Sequence, residues 1–242
     1  MIQTIYYIIL IYFLLGGIGF YIINRKKDSR VALKSYTKFG VYFIIINFLF
    51  FSIVINPLVF QYLSILIIGV GFFEMFRLFQ KSGYRNNWFY LLSLLVYGTF
   101  STGFLLFGNL QKELILYSFI VLSIFDSFSQ ITGQLFGSKK LFPKTSPNKT
   151  LGGLIGGGLI AITSSFFLSN LFTEPDLKTT AISLGVVFFA FTGDLAASFY
   201  KRKFNVKDYS NLIPGHGGFL DRFDSLIVAG AWVAFNQYVL NI

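Results

Sequence analysis

Residues 39–73 read FGVYFIIINFLFFSIVINPLVFQYLSILIIGVGFF, thirty-five positions without one charged side chain. A bilayer's hydrocarbon core takes about twenty helical residues, so the run is too long for one ordinary span. Asn56 and Pro57 stand in its middle and supply a turn signal that divides it into a hairpin of two spans. The same criteria, uncharged length and flanking breakers, applied outward from this run predict eight helices, at about 2–23, 39–55, 58–77, 87–108, 113–136, 151–172, 178–200 and 223–241. The expected fold class is therefore an all-α polytopic membrane protein. Four N-terminal spans occupy residues 1–110, and a C-terminal region, 111–242, carries most of the chemically distinctive residues.

Composition agrees. Hydrophobic residues make up 55% of the chain and charged ones 12%, more apolar surface than a soluble core absorbs. There is no cysteine, which excludes a disulfide framework and any thiolate metal site. The first apolar run lacks a basic leader and a small-residue cleavage site, so it is expected to be a retained helix. No internal repeat or low-complexity tail is evident.

The basic residues set the expected orientation. Eighteen of the twenty fall after helices one, three, five and seven; only Lys112 and Lys178 lie in the alternate loops, beside Glu113, Glu174 and Asp176. Cytoplasmic loops carry the excess of Lys and Arg, so the odd loops are predicted to face the cytoplasm and both termini the other side. The net charge of +10 then reads as topology plus attraction to anionic lipid or nucleotide, with no need of a nucleic-acid partner. The cations of 24–38 are read as orientation and headgroup contacts. Glu74 and Arg77, three apart, are read as a local ion pair, and Trp88 and Tyr90 as interfacial anchors.

Charge is concentrated in residues 193–225, GDLAASFYKRKFNVKDYSNLIPGHGGFLDRFDS, which hold four of the ten acidic residues and the only histidine. Asp221 and Asp224 share a helix face by spacing, and Asp194 lies near the end of the preceding span. Clustered carboxylates repel unless a cation joins them, and an oxygen-only set suits Mg²⁺. Lys201, Arg202, Lys203, Lys207 and Arg222 lie among them, with a glycine-bounded turn at 214–218 that can offer N–H groups to phosphate oxygens. Metal, phosphate and a membrane address together point to phosphoryl or nucleotidyl transfer on a lipid.

Three further features stand outside plain membrane logic. Asp126 has twelve uncharged residues on either side, and an ionisable group inside a span is a functional candidate in preference to a structural pair. Asp194 follows fifteen uncharged residues and reads the same way, whereas Asp224 could also serve the dipole of helix eight. The loop GSKKLFPKTSPNKTLGG, 137–153, leads Ser146, Lys149 and Thr150 into a glycine-rich helix start that allows close packing or a phosphate at its N-terminus. His216 is read as a phosphate contact or an ordering residue of its turn, with a general base the alternative.

Two ordered blocks resemble a known family. Ser198-x-x-Lys201-Arg202, then Lys207-Asp208, then Ile213-Pro214-Gly215-His216-Gly217-Gly218-x-x-Asp221-Arg222-x-Asp224-Ser225 is similar to the signature of the phosphatidate cytidylyltransferases, also called CDP-diacylglycerol synthases. Asp126, Gly133, Phe136, Gly137, Lys140, Leu141, Pro143 and Ser146-Pro147-x-Lys149-Thr150 resemble that family's other cytoplasmic region. The chain departs from the family pattern at Leu151 and Gly152, which replace an aromatic and a carboxylate, and at Ala197, where an acid is common. The resemblance implies transfer of CMP from CTP to phosphatidate with release of pyrophosphate, Mg²⁺ as cofactor and in some members a monovalent cation such as K⁺. It implies Asp194, Asp221 and Asp224 at the metal, with Lys201, Arg202 and Arg222 in the catalytic set. Asp126, Ser146, Lys149, Thr150, Ser198, Lys207, Asp208, His216, Gly217 and Gly218 would bind substrate. The expected setting is the cytoplasmic membrane, with the site facing the cytoplasm.

Rival readings are a CTP-dependent lipid kinase and a transporter or scaffold with Asp126 and Asp194 on an ion path. Two-fold association through the small-residue helix 151–163 is a further expectation, set against packing of the same glycines inside one bundle.

Overall fold

The computed structural model describes residues 2–172, 177–213 and 217–240. In chain order these form α1 (Ile2–Asn24), α2 (Ser29–Ile55), α3 (Pro57–Lys81), α4 (Asn87–Phe107) and α5 (Lys112–Phe136). A hairpin of β1 (Lys140–Phe142) and β2 (Ser146–Thr150) follows, then α6 (Leu151–Phe172), α7 (Leu177–Lys203) and α8 (Leu220–Phe235), which continues in a wider π-type turn over Asn236–Leu240. Among the described residues eight helices are long and apolar enough to cross a membrane, as the sequence predicts.

The hairpin in the long uncharged run is where the turn signal placed it. Asn56 is extended, its side chain accepts the Leu58 N–H at 2.9 Å, and Pro57 takes the first helical position, where a missing N–H costs nothing. Two boundaries differ from the sequence reading. α2 begins at Ser29 instead of near residue 39, because Arg30, Lys34 and Lys38 continue the helix beyond the apolar run. The stretch 137–153, read as a loop, pairs antiparallel, Lys140 with Thr150 and Phe142 with Ser146.

α5 and α8 are the most enclosed spans, 61% buried, whereas α4 is 17% buried and leaves most of its surface uncovered by the rest of the chain. Apolar side chains gain little from leaving lipid for one another, so close backbone approach has to hold such a bundle. The glycines of α6 supply it. A Cβ at Gly157 would stand 2.6 Å from the Ser129 nitrogen, and one at Gly156 2.7 Å from Thr132 Cβ, so only glycine lets α6 lie this tightly on α5. That face is spent inside the bundle and is not free to pair with a second copy. α8 runs between α4 and α7, and α3 touches its N-terminal end.

Candidate active site

The site is built around the start of α8, where helix geometry leaves N–H groups without intrahelical partners. Glu74 accepts from two N–H groups at this start, and Asp221 accepts from the loop that precedes it. Glu74 of α3, 1% exposed, accepts from the Phe219 N–H at 2.9 Å, the Leu220 N–H at 2.7 Å and the Ser210 hydroxyl at 2.6 Å. Asp221, in the first turn itself, accepts from the N–H groups of Gly218 at 2.6 Å and Tyr209 at 2.8 Å through Oδ2. Its Oδ1 receives Lys201 Nζ at 2.5 Å from the last turn of α7, where a cation also complements the helix dipole. Lys201 stands 5.2 Å from the Tyr209 ring centre, and burial holds the Tyr209 hydroxyl well above its ordinary pKa.

Glycine is required in the turn that these carboxylates grip. Gly217 has φ +86, a left-handed conformation, and a Cβ there would come within 2.9 Å of Asp221 Oδ2. A Cβ at Gly218 would stand 2.6 Å from Glu74 Oε1. Ile213 donates to the Gly217 carbonyl at 2.9 Å and closes the loop.

A second ion pair ties β2 to α7: Lys149 Nζ lies 2.9 Å from Asp194 Oδ2 and 4.2 Å from the centre of the Phe191 ring. Ser198 donates to the other Asp194 oxygen at 3.3 Å. Arg202, one residue beyond Lys201, donates to the carbonyls of Thr145 at 3.1 Å and Val206 at 2.7 Å, clamping the β1–β2 turn to the end of α7.

These groups meet at a cavity of about 400 Å³. Asp126, Ser146, Lys149, Thr150, Asp194, Lys201, Asp208, Asp221, Arg222 and Asp224 all line it, so the structure brings together most of the residues singled out in the sequence. Arg202, Ser198 and Lys207 are not in its wall. Arg202, expected among the catalytic groups, holds backbone carbonyls in this structure. Thr150 caps α6, its hydroxyl accepting the Gly153 N–H at 3.1 Å, so the start of that helix is closed by its own chain. His216 lies outside the described residues. Glu74 is the residue that the sequence reading misassigned: it makes no ion pair with Arg77 among the described residues and instead braces α8.

For a divalent cation the donor chemistry is right, since the acids around the cavity offer only carboxylate oxygens. Among the described residues no three acidic side chains converge closely enough to share one ion. Asp221 departs furthest from its expected place as a ligand, because both its oxygens hold Lys201 and the loop. Asp194 is engaged by Lys149 and Ser198. Asp224 uses Oδ1 for the Ser225 N–H, and Asp126 makes no side-chain hydrogen bond among the described residues, so these two keep oxygens free. Asp126 and Asp224 thus offer free oxygens of the kind a magnesium-class ion takes, with Asp194 on the same cavity wall.

Fold and site together define an integral membrane protein with a cavity lined by both carboxylates and cations. The chain belongs to the cytidylyltransferase family, whose sequence profile matches residues 81–240, more than half of its length. Relatives named phosphatidate cytidylyltransferase include one from Rickettsia felis, 39% identical over 140 residues that cover 54% of this chain and 62% of the relative. One from Rickettsia typhi is 35% identical over 191 residues, 74% of this chain and 82% of the relative. One from Haemophilus influenzae is 43% identical over 122 residues, 48% of this chain and 42% of the relative. The chain thus spans about three fifths of the length of the first Rickettsia relatives it matches.

Proposed function

We propose that the protein transfers the cytidylyl group of CTP to phosphatidate, giving CDP-diacylglycerol and pyrophosphate. The observation that carries this reading is the single cavity in which Asp126, Asp194 and Asp224 stand with Lys149, Lys201 and Arg222 beside an apolar wall from α1 and α2. A nucleotide needs the charges and a lipid needs the wall. Family membership and the relatives' names support the same substrates. The run of basic residues after helices one, three, five and seven supports a cytoplasm-facing site in the cytoplasmic membrane.

In this reaction an oxygen of the lipid phosphate attacks the α-phosphorus of CTP, the bond from that phosphorus to the bridging oxygen breaks, and pyrophosphate leaves with the electron pair. Mg²⁺ bound by Asp194 and Asp224, with Asp126 beside them, would neutralise charge on the nucleotide phosphates. Lys149 and Lys201 each hold a carboxylate in this structure and lie within the same cavity, where they can turn to phosphate oxygens as charge builds in the transition state. The nucleophile is a phosphate monoester, already anionic near neutral pH, so no side chain has to remove a proton.

The test is product identity. Purified full-length chain in detergent micelles is given CTP, Mg²⁺ and phosphatidate. Pyrophosphate release that requires all three supports the proposal. Release of CDP with diacylglycerol or a polyprenol would replace it with a lipid kinase. Neither product from folded protein would overturn it.

A further inference from the structure

α1 and α2 precede the residues that the family profile matches, yet they close one side of the cavity. Phe13 and Phe20 of α1 pack on Phe39 of α2, ring centres 5.6 and 5.3 Å apart, and Tyr42 lies one turn deeper. Lys38 immediately precedes Phe39 and is the last charged residue before the thirty-five uncharged positions. It therefore sits at the boundary between water and hydrocarbon, the height at which a lipid carries its phosphate.

The charges around Lys38 are unbalanced. Lys207, Arg222 and Lys34 act on it as cations and Asp208 as an opposing carboxylate, and Arg222 and Asp208 share its cavity. Lys38 and Arg222 both line the cavity, and among the described residues neither is in an ion pair. Like charges gathered at a cavity mouth repel, and the repulsion turns to attraction when a multiply charged anion lies between them. A phosphate monoester carries a charge of about −1.5 to −2 at neutral pH. The carboxylates and paired lysines of the cavity belong to α5, β2, α7, α8 and, for Asp208, the loop between α7 and α8, whereas Lys38 stands on the aromatic wall of α1 and α2.

We propose that Lys38, with Arg222, holds the phosphate monoester of the lipid substrate, and that the aromatic wall of α1 and α2 receives the lipid's chains. This rests on the cytidylyl-transfer reading and adds to it the residue that selects the acceptor. Lys38 discriminates phosphatidate from lipids whose phosphate is a diester, because only the monoester carries the second charge.

The test uses the full chain in micelles, with phosphatidate and CTP each titrated against saturation of the other. Lys38→Met should raise the KM for phosphatidate about tenfold, with the KM for CTP changed less than about twofold, and Lys38→Arg should recover most of the loss. Lys34→Met removes the same charge one turn further out, off the cavity lining, and should raise the KM for phosphatidate much less than Lys38→Met does. A phosphatidate KM unaltered by Lys38→Met overturns the proposal; so does an equal rise for CTP, which would assign Lys38 to the nucleotide, or an equal effect of Lys34→Met. Retention of phosphatidate over phosphatidylcholine, read by native mass spectrometry without nucleotide, separates the two ideas. If wild-type protein releases no pyrophosphate but retains phosphatidate in a Lys38-dependent way, the reaction falls and the phosphate contact stands.

Discussion

Replacing Glu74 is the sharpest probe of how the site is held. The side chain is 1% exposed and accepts three hydrogen bonds, two of them from the backbone at the start of α8. Glu74→Ala leaves the Phe219 and Leu220 N–H groups and the Ser210 hydroxyl without an acceptor. A buried donor left unsatisfied costs about 1–3 kcal/mol. Leu220 is buried and takes the full cost, whereas Phe219 and Ser210 are half-buried and recover part of theirs from water. The sum is about 2–4 kcal/mol for the alanine variant. Glu74→Gln keeps one acceptor oxygen, so it should lose roughly half as much.

The assay is unfolding of purified protein in mixed micelles titrated with sodium dodecyl sulfate, run beside pyrophosphate release. Ser210→Ala alone should cost about 0.5–1.5 kcal/mol and should cost almost nothing more once Glu74 is alanine, since both changes remove one shared bond. Turnover should fall with the alanine variant because Asp221, Arg222 and Asp224 all ride on the helix start that Glu74 fixes. A Glu74→Ala protein with wild-type unfolding and wild-type turnover would refute the brace, and fully additive Ser210→Ala and Glu74→Ala effects would refute the shared bond.

Three further outcomes are expected. Gly157→Ala should destabilise the bundle by about 1–3 kcal/mol through overpacking, because its Cβ would meet Ser129 backbone at 2.6 Å, while Gly158→Ala, whose nearest neighbour would be 3.8 Å away, should be tolerated; equal midpoints in the same unfolding titration would contradict this. Gly217→Ala should cost about 1–3 kcal/mol in backbone strain alone and reduce pyrophosphate release, and an alanine variant as active and as stable as wild type would show that the turn does not need its left-handed residue. Lys149→Met should lower kcat by about a hundredfold or more with little change in the KM for phosphatidate, and a normal kcat would remove Lys149 from the charge-stabilising set.

Much of the fold was legible because hydrocarbon thickness and an internally bonded backbone constrain a spanning helix so tightly. The break at Asn56 and Pro57 could be read directly, since both the cap and the missing N–H are local properties. The start of α2 was not, because Arg30, Lys34 and Lys38 end a hydropathy signal without ending a helix. Asp126 and Asp194 stood out because isolated charge inside an apolar span is expensive, and Asp224 because it shares a helix face with Asp221. Glu74 did not: its partners lie 136 to 146 positions away, and the nearby Arg77 offered a plausible local explanation. Arg202 shows the opposite limit of a motif, which does not say where a side chain points. It shares the motif with Lys201, but the next position on a helix points elsewhere, and there it meets the carbonyls of Thr145 and Val206.

The charged residues of this site also assemble it. Lys149 with Asp194 joins β2 to α7, Lys201 with Asp221 joins α7 to α8, Arg202 ties α7 to the β1–β2 turn, and Glu74 ties α3 to α8. Breaking the buried Lys201–Asp221 pair by removing one partner leaves an uncompensated charge, so substitution of either disturbs the architecture as well as the chemistry. Loss of turnover alone therefore cannot assign a role to Asp221 or Lys201. Readouts that split the two do: a KM that changes for one substrate and not the other, or turnover that falls while the unfolding midpoint holds. By that criterion Asp126 is the most informative acid, because it lines the cavity and makes no side-chain hydrogen bond among the described residues. Asp126→Asn should spare the unfolding midpoint and reduce turnover. The opposite pattern, reduced stability with normal turnover, would return Asp126 to a structural role.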